Sequence, residues 1–259
     1  MTRQRTAFEE VPELYERARP TYPEEVFDDL VALAELGEGA RIVEIGSGTG
    51  KATLPLARRG LHVTGVELGD GLGAVARRKL AAFPGVEIVH ADFEAWQPRA
   101  AEFDAVVAFN AFHWIDPALR YAKPAALLRE DGALAVVAVH HVLPEGGDRF
   151  FADVQEDYRA CLPEGEPWLA PRPGEVGDLS GEIAASGLFV PVGGRRYVWD
   201  VTYTAKQLVN LLDTYSDHRA LPDDTRRQLF DRIQRRIEAR PGGRVRKAYL
   251  ATLDVARRR

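Results

Sequence analysis

Hydrophobic positions along this chain switch between two periods. LYERARP (14–20) and PEEVFDDLVALAELG (23–37) space their apolar residues as a helix does, with Val26, Phe27, Leu30, Val31 and Leu33 on one face. Pro23 marks the start of the longer helix and Gly37 its expected end. From residue 40, short Val/Ile-rich runs alternate with helix-patterned ones. ARIVEIG, LHVTGVEL, VEIVHAD, FDAVVAFN and GALAVVAVHHV read as strands, with KATLPLARR, LGAVARRKLAAF and DPALRYAKPAALLRED between them as helices. That alternation predicts βαβ units, hence an α/β fold with a parallel sheet and helices on both of its faces. Near residue 143 it stops. DRFFADVQEDYRACL predicts an amphipathic helix carrying Phe150, Phe151, Val154 and Tyr158. EGEPWLAPRPGEVG reads as an ordered loop or lid and GGRRYVWDVTYT as a late strand. AKQLVNLLDTYS and DDTRRQLFDRIQRRIEAR read as helices, and VRKAYLATLDVARR leaves strand and helix both open.

The first strand runs into VEIGSGTGKATLPLARRG (43–60), where Gly46, Gly48 and Gly50 alternate before a helix-like run. Such a loop lets a ligand approach backbone N–H groups at a helix N-terminus. A P-loop with Gly50-Lys51 as its GK needs glycine at 45 and Ser/Thr at 52, where this chain has Ile45 and Ala52. A dinucleotide fingerprint needs its third glycine at 51, which is Lys51. Glu44 stands two residues before the first glycine. A carboxylate there suits a cation better than a pyrophosphate. S-adenosyl-L-methionine is such a ligand, with a sulfonium, an ammonium and no phosphate. Glu67 ends the second strand, 17 residues after Gly50, close to where an acid takes ribose hydroxyls in this topology.

Composition narrows the classes. The 259 residues are 46% hydrophobic and 28% charged with a net charge of -5, so no general affinity for nucleic acid is expected. The lone cysteine, Cys161, excludes an internal disulfide and a Cys-rich metal site. No metal is expected. The N-terminus has no signal-type apolar core, and no run reaches the roughly 18 apolar residues of a membrane span. These point to a cytoplasmic protein. Residues 226–259 hold twelve Lys/Arg against three Asp/Glu. With no interleaved aromatics beyond Phe230 and Tyr249, they read as a solvated helix face and a frayed RRR tail rather than a nucleic-acid patch.

VEIGSGTG, Glu67, HADFEAW and FDAVVAFNAFHWID, in that order and spacing, resemble the class I S-adenosylmethionine-dependent methyltransferases, in particular the small-molecule type that includes trans-aconitate methyltransferases. The resemblance covers residues 14–140 and is only general beyond. It implies a Rossmann-like, seven-stranded, mostly parallel sheet with an antiparallel last strand, helices on both faces and an α-helical cap. The expected organisation is one domain over 1–259, with a helical cofactor cover (1–36), a cofactor-binding core (37–142), and a cap with sheet completion (143–259). By that resemblance, Glu44, Gly46, Ser47, Gly48 and Gly50 wrap the methionyl half of the cofactor. Glu67 takes the ribose, with Leu68 beside the adenine. Asp92 reaches the adenine amino group with Phe93 behind the ring, and Asn110 meets the methionyl group through its backbone. In YERARPTYP, Tyr15, Arg19 and Tyr22 are the covering candidates. Each also has a plainer reading: Asp92 as a cap for the turn EAW, Phe93 as core, the tyrosines as helix packing.

Methyl transfer from a sulfonium is an in-line displacement, in which the protein aligns the groups and excludes water. A phenol or amine acceptor calls for a base, and His113 and His140 are the candidates. A carboxylate acceptor needs none and calls for an arginine, with Arg19, Arg195 and Arg196 available. NAFH after strand four departs from the Asn/Asp-Pro-Pro-aromatic tetrad of nucleic-acid amine methylation in related folds. Cys161 lies too far downstream to attack cytosine, and one cysteine is too few for arsenic chemistry. A small organic acceptor remains, in a protein expected to be a monomer or homodimer. Phe150, Phe151, Tyr158 and Trp168 supply an apolar pocket. The rival readings are a cofactor-binding regulator without turnover and an NAD-dependent oxidoreductase.

Overall fold

The computed structural model describes residues 11–98, 103–162 and 168–259. Part of the 1–36 cover and of the loop at 164–177 therefore lies outside the described residues. Seven strands form one sheet: β1 (Arg41–Ile45), β2 (His62–Glu67), β3 (Val86–His90), β4 (Phe103–Phe109), β5 (Leu128–Val142), β6 (Phe189–Thr204) and β7 (Arg244–Arg258). Their order is β3-β2-β1-β4-β5-β7-β6. The first five pair in parallel, and the last strands are antiparallel. The seven-stranded mixed architecture is the one the sequence implied. β1 and β4 are buried almost end to end, as expected of strands inside a parallel sheet.

The residues group into two compact units. The core unit comprises Thr21–Val139, Gly177–Tyr197 and Ala251–Arg259. It holds β1–β4 and the helices α2 (Glu24–Leu33), α3 (Thr53–Arg58), α4 (Asp70–Leu80) and α5 (Ala122–Leu127). Its apolar centre includes Val43, Ile45, Val66, Val106, Leu128, Leu134 and Phe189. The second unit comprises residues up to Pro20, His140–Val176 and Val198–Leu250. It holds α1 (Pro12–Ala18), α6 (Phe150–Asp153), α7 (Gln155–Cys161), α9 (Ala205–Leu212), α10 (Ser216–Arg219) and α11 (Asp223–Glu238), with α8 (Ser180–Ala185) left to the core unit. α11 packs on α7 and α9 through Leu229, Ile233 and Ile237, all fully buried. At its N-terminus α9 is closed by a reciprocal cap: Thr204 Oγ1 takes the Gln207 N–H and Gln207 Oε1 takes the Thr204 N–H.

Several local expectations are corrected. α2 ends at Leu33, and the left-handed residue after it is Glu35 (φ 49°), not Gly37. The Leu36 N–H reaches back to Val31 O at 3.0 Å and the Glu35 N–H to Ala32 O at 3.2 Å, closing the last carbonyls as a Schellman turn does. DPALRYAKPAALLRED is helical only over Ala122–Leu127, and Leu128 already belongs to β5. DRFFADVQEDYRACL breaks into α6 and α7. VRKAYLATLDVARR is strand β7, so the terminal arginines are not a frayed tail: Arg258 Nη1 donates to Leu128 O, and Arg257 Nη2 lies 2.8 Å from Glu35. Arg226, Arg227, Arg232, Arg236 and Arg240 are likewise spent on Asp213, Asp223, Asp224, Asp157 and Asp148.

Candidate functional site

The glycine loop leaves β1 at the carboxyl ends of the parallel strands, where open α/β sheets place their ligands. Gly46, Gly48 and Gly50 all have positive φ, at 64°, 55° and 75°. A Cβ on Gly46 would stand 2.7 Å from Ala111 Cβ, so the bare glycine lets the loop close onto the end of β4. A Cβ on Gly48 would meet nothing within 4 Å, so that backbone faces open space. Between them, Ser47 and Thr49 are 4% and 1% exposed, and neither hydroxyl has a hydrogen-bond partner among the described residues. Buried hydroxyls are normally satisfied, and two orphans in one loop fit a polar ligand completing them.

Glu67 closes β2. Its Oε2 accepts the Gly48 N–H at 2.7 Å and its Oε1 the Gly69 N–H at 2.9 Å. Each carboxylate oxygen has a second lone pair, which keeps the acid competent to accept a hydroxyl. Leu68 is half-buried, and its carbonyl shares a 3.0 Å hydrogen bond with His90 Nε2. Gly65, paired with Glu44 across β1 and β2, has no Cβ to collide with Ser47, which would sit 2.8 Å from one.

Glu44 behaves differently from its sequence expectation. It is 1% exposed and accepts the Thr53 hydroxyl at 2.6 Å. Burial, partly offset by that hydrogen bond, pushes its pKa up to about 8. At neutral pH it is therefore mainly a protonated acid rather than a standing negative charge.

Asp92 Oδ1 accepts the Glu94 N–H at 3.0 Å, and Asp92 O the Trp96 N–H at 2.8 Å, so this residue caps the turn after β3. Phe93 is 4% exposed and belongs to the apolar centre, with Lys123 Nζ 5.2 Å from its ring. Lys123 also donates to the carbonyls of Glu94 and Trp96 and so ties this turn to α5. Asn110 has φ 55°, a conformation asparagine tolerates better than most residues, and its Oδ1 accepts the Val139 N–H at 2.7 Å. It ends β4 by pinning it to β5. His113 is exposed in the short 3-10 turn Phe112–Trp114, its ring 4.7 Å from Trp114. Tyr22 packs on Phe27 and Phe109.

The core unit thus gathers Glu44, the glycine loop, Glu67, Asp92 and Asn110 at one set of strand ends. Tyr15, Arg19 and His140 belong to the second unit. There Arg19 donates from Nε and Nη2 to Thr214 Oγ1 and O, both at 2.8 Å, and its guanidinium lies over Tyr15 and Tyr215. Arg195 lies 3.8 Å from Asp29 within the core unit. Of the apolar-pocket candidates, Phe150 is fully buried, Trp168 is 55% exposed, and Tyr158 hydrogen-bonds His218 Nε2 at 2.8 Å. Two residues not among the sequence candidates have distinctive surroundings in the second unit: His141, the neighbour of His140 at the end of strand five, and Lys247. An alternation of Val245, Lys247 and Tyr249 would have marked the lysine, had that segment been read as a strand.

Among the described residues no helix is long and apolar enough to cross a membrane. Residues 42–132 match a family of methyltransferase domains. An uncharacterized methyltransferase of Mycobacterium tuberculosis is 27% identical over 231 residues, 88% of this chain and 84% of its own length. The trans-aconitate 2-methyltransferase of Rhodopseudomonas palustris is 28% identical over 194 residues, 73% of this chain and 68% of its own. Among solved structures, a putative type II methyltransferase from Anaeromyxobacter dehalogenans superposes with a TM-score of 0.63 at 20% identity, covering 92% of this chain and 97% of that one. At that identity the likeness speaks for the fold.

Proposed function

Since this chain is a class I S-adenosylmethionine-dependent methyltransferase, we propose that the strand ends of its core unit hold S-adenosyl-L-methionine and that the methyl passes to a small organic acceptor. The observation that carries the reading is Glu67, an acid at the end of β2 whose two oxygens are oriented by the Gly48 and Gly69 N–H groups. In that setting it accepts ribose hydroxyls. The Gly48 backbone, with no side chain in the way, lies against the methionyl half, and the Ser47 and Thr49 hydroxyls supply the missing polar partners. Asp92, Leu68 and Phe93 take the adenine side, and the carbonyl end of Asn110 the methionyl side.

The cofactor, when bound, supplies a methyl already activated on a sulfonium. What remains for the chain is to bind, align and exclude water. Glu44 anchors the loop to α3 through Thr53 and gives up its proton when a cation settles beside it. For an acceptor that must lose a proton, His113 or His140 removes it; for a carboxylate acceptor neither is needed.

Calorimetry with S-adenosylmethionine and S-adenosylhomocysteine, with NAD as control, tests the reading. Binding of the first two, weakened by about 1–3 kcal/mol in Glu67→Ala, is expected. Binding of NAD alone would sink it. An acceptor screen with His113→Gln and His140→Gln then separates proton transfer, seen as a changed pH profile of kcat, from a structural role.

A further inference from the structure

β7 places Val245, Lys247 and Tyr249 on one face, and they are 1%, 4% and 3% exposed. A lysine therefore occupies a position that the strand otherwise fills with apolar side chains. Its Nζ lies 5.2 Å from the Phe151 ring, 5.4 Å from Tyr249 and 6.0 Å from Tyr215. Among the described residues no hydrogen bond or ion pair reaches that nitrogen. A buried ammonium with only ring faces for company is costly, and cation–π contacts return only part of the lost hydration.

A second group shares the defect. His141 stands over the same Phe151 ring at 4.5 Å and 5.4 Å from Trp168, and its Nε2 is buried with no hydrogen-bond partner. Charges in the neighbourhood add up rather than cancel. Lys247 disfavours the protonated form of His141, and Arg19 lies near enough to disfavour the protonated lysine. Asp217 is the acid that opposes this, and its Oδ1 is engaged by the His218 N–H and ring. Burial and these neighbours pull Lys247 down to about 7 and His141 down to about 3.

We propose that Lys247 and His141 form a binding site in the second unit for a small carboxylate with an apolar or aromatic body. One carboxylate supplies what both groups lack: an acceptor for the Lys247 ammonium and for an Nε2–H of His141. The body of the ligand packs on Phe151 and on Trp168, which is 55% exposed. The site rests on contacts within the second unit and is independent of where the methyl donor binds, so it is tested without a donor.

The chain has five lysines, which makes a side-chain NMR titration tractable. The probe is sodium benzoate, with sodium chloride at equal ionic strength as the control, and Lys247→Met assigns the resonance. The groups facing Nζ are Arg19, His141, Asp217 and the Tyr215 and Tyr249 phenols; with Lys247 at about 7 and His141 at about 3, it is the lysine that titrates between pH 5 and 9. Benzoate is expected to raise the apparent pKa of Lys247 by about one unit or more, a tenfold preference for the protonated amine. It is expected to bind at least tenfold more weakly to Lys247→Met, while Lys247→Arg retains binding. A Lys247 titration unchanged between benzoate and chloride overturns the proposal, as does equal benzoate affinity in Lys247→Met. If Lys247→Met fails to fold, the wild-type titration, assigned through Lys247→Arg, still decides.

Discussion

Glu67 Oε2 accepts the Gly48 N–H at 2.7 Å, although nineteen residues of chain separate the two. One carboxylate thereby holds the glycine loop of β1 against the end of β2. Glu67→Gln replaces one accepting oxygen by an N–H that faces another N–H. We expect a loss of about 1–2 kcal/mol in unfolding free energy and a roughly tenfold fall in affinity for S-adenosylmethionine. Denaturant titration and calorimetry read the two effects. Unchanged cofactor affinity in a folded variant would remove Glu67 from the binding site.

Gly46 and Gly48 carry similar backbone angles but different surroundings. Gly46→Ala combines the left-handed cost with a Cβ 2.7 Å from Ala111 Cβ, for about 2–4 kcal/mol together. Gly48→Ala incurs only the left-handed cost of about 1–2 kcal/mol, because its Cβ meets nothing. Gly48→Ala should therefore melt higher than Gly46→Ala yet still bind S-adenosylmethionine poorly. Wild-type affinity in Gly48→Ala would show that the ligand does not approach there.

Burial raises Glu44 from 4.5 to about 8 in the folded chain. Between these values the folded state holds a proton that the unfolded chain has released, so stability is full below about pH 4.5 and declines as pH rises through 8. The loss is on the order of a few kcal/mol. Glu44→Gln has no such proton. Urea unfolding at several pH values should show the wild type losing stability relative to Glu44→Gln from pH 5 to 8.5. Parallel curves would refute the raised pKa.

Asp157 is 4% exposed and receives Arg232 Nε at 3.3 Å and, more closely, Arg236 Nε. Removing it leaves two guanidinium groups over a half-covered gap. Asp157→Ala should destabilise the chain by about 2–3 kcal/mol, less than for a fully buried pair because both arginines are partly solvated. Thermal and urea unfolding provide the measurement, and a change within about 0.5 kcal/mol would mean that the pair is no more than a surface contact.

The core of the sheet was legible because its signals are local. β1 to β4 are short Val/Ile-rich runs, and the glycine loop, Glu67 and Asn110 sit at their ends by spacing alone. β7 was not legible: Ala248–Ala256 are buried at every position, Thr252 and Asp254 included, so no alternation of buried and exposed residues separates strand from helix there. The end of α2 was misplaced because a glycine two residues on looked like the natural stop. In the chain Glu35 takes the left-handed turn, and buried Leu36 follows it.

The order of elements, the loop that faces a ligand and the acids that flank it are written in the linear chain. These depend on neighbours within a few residues, where propensity and backbone sterics decide. The state of those groups is set by folding. Nothing within Glu44's own segment shows that it is enclosed and protonated. Likewise, Lys247 and His141 meet over the ring of Phe151 only because strands β5 and β7 and helix α6 bring them there. Burial and charge act through space, and the chain's own order does not record which distant side chains will share a dry environment.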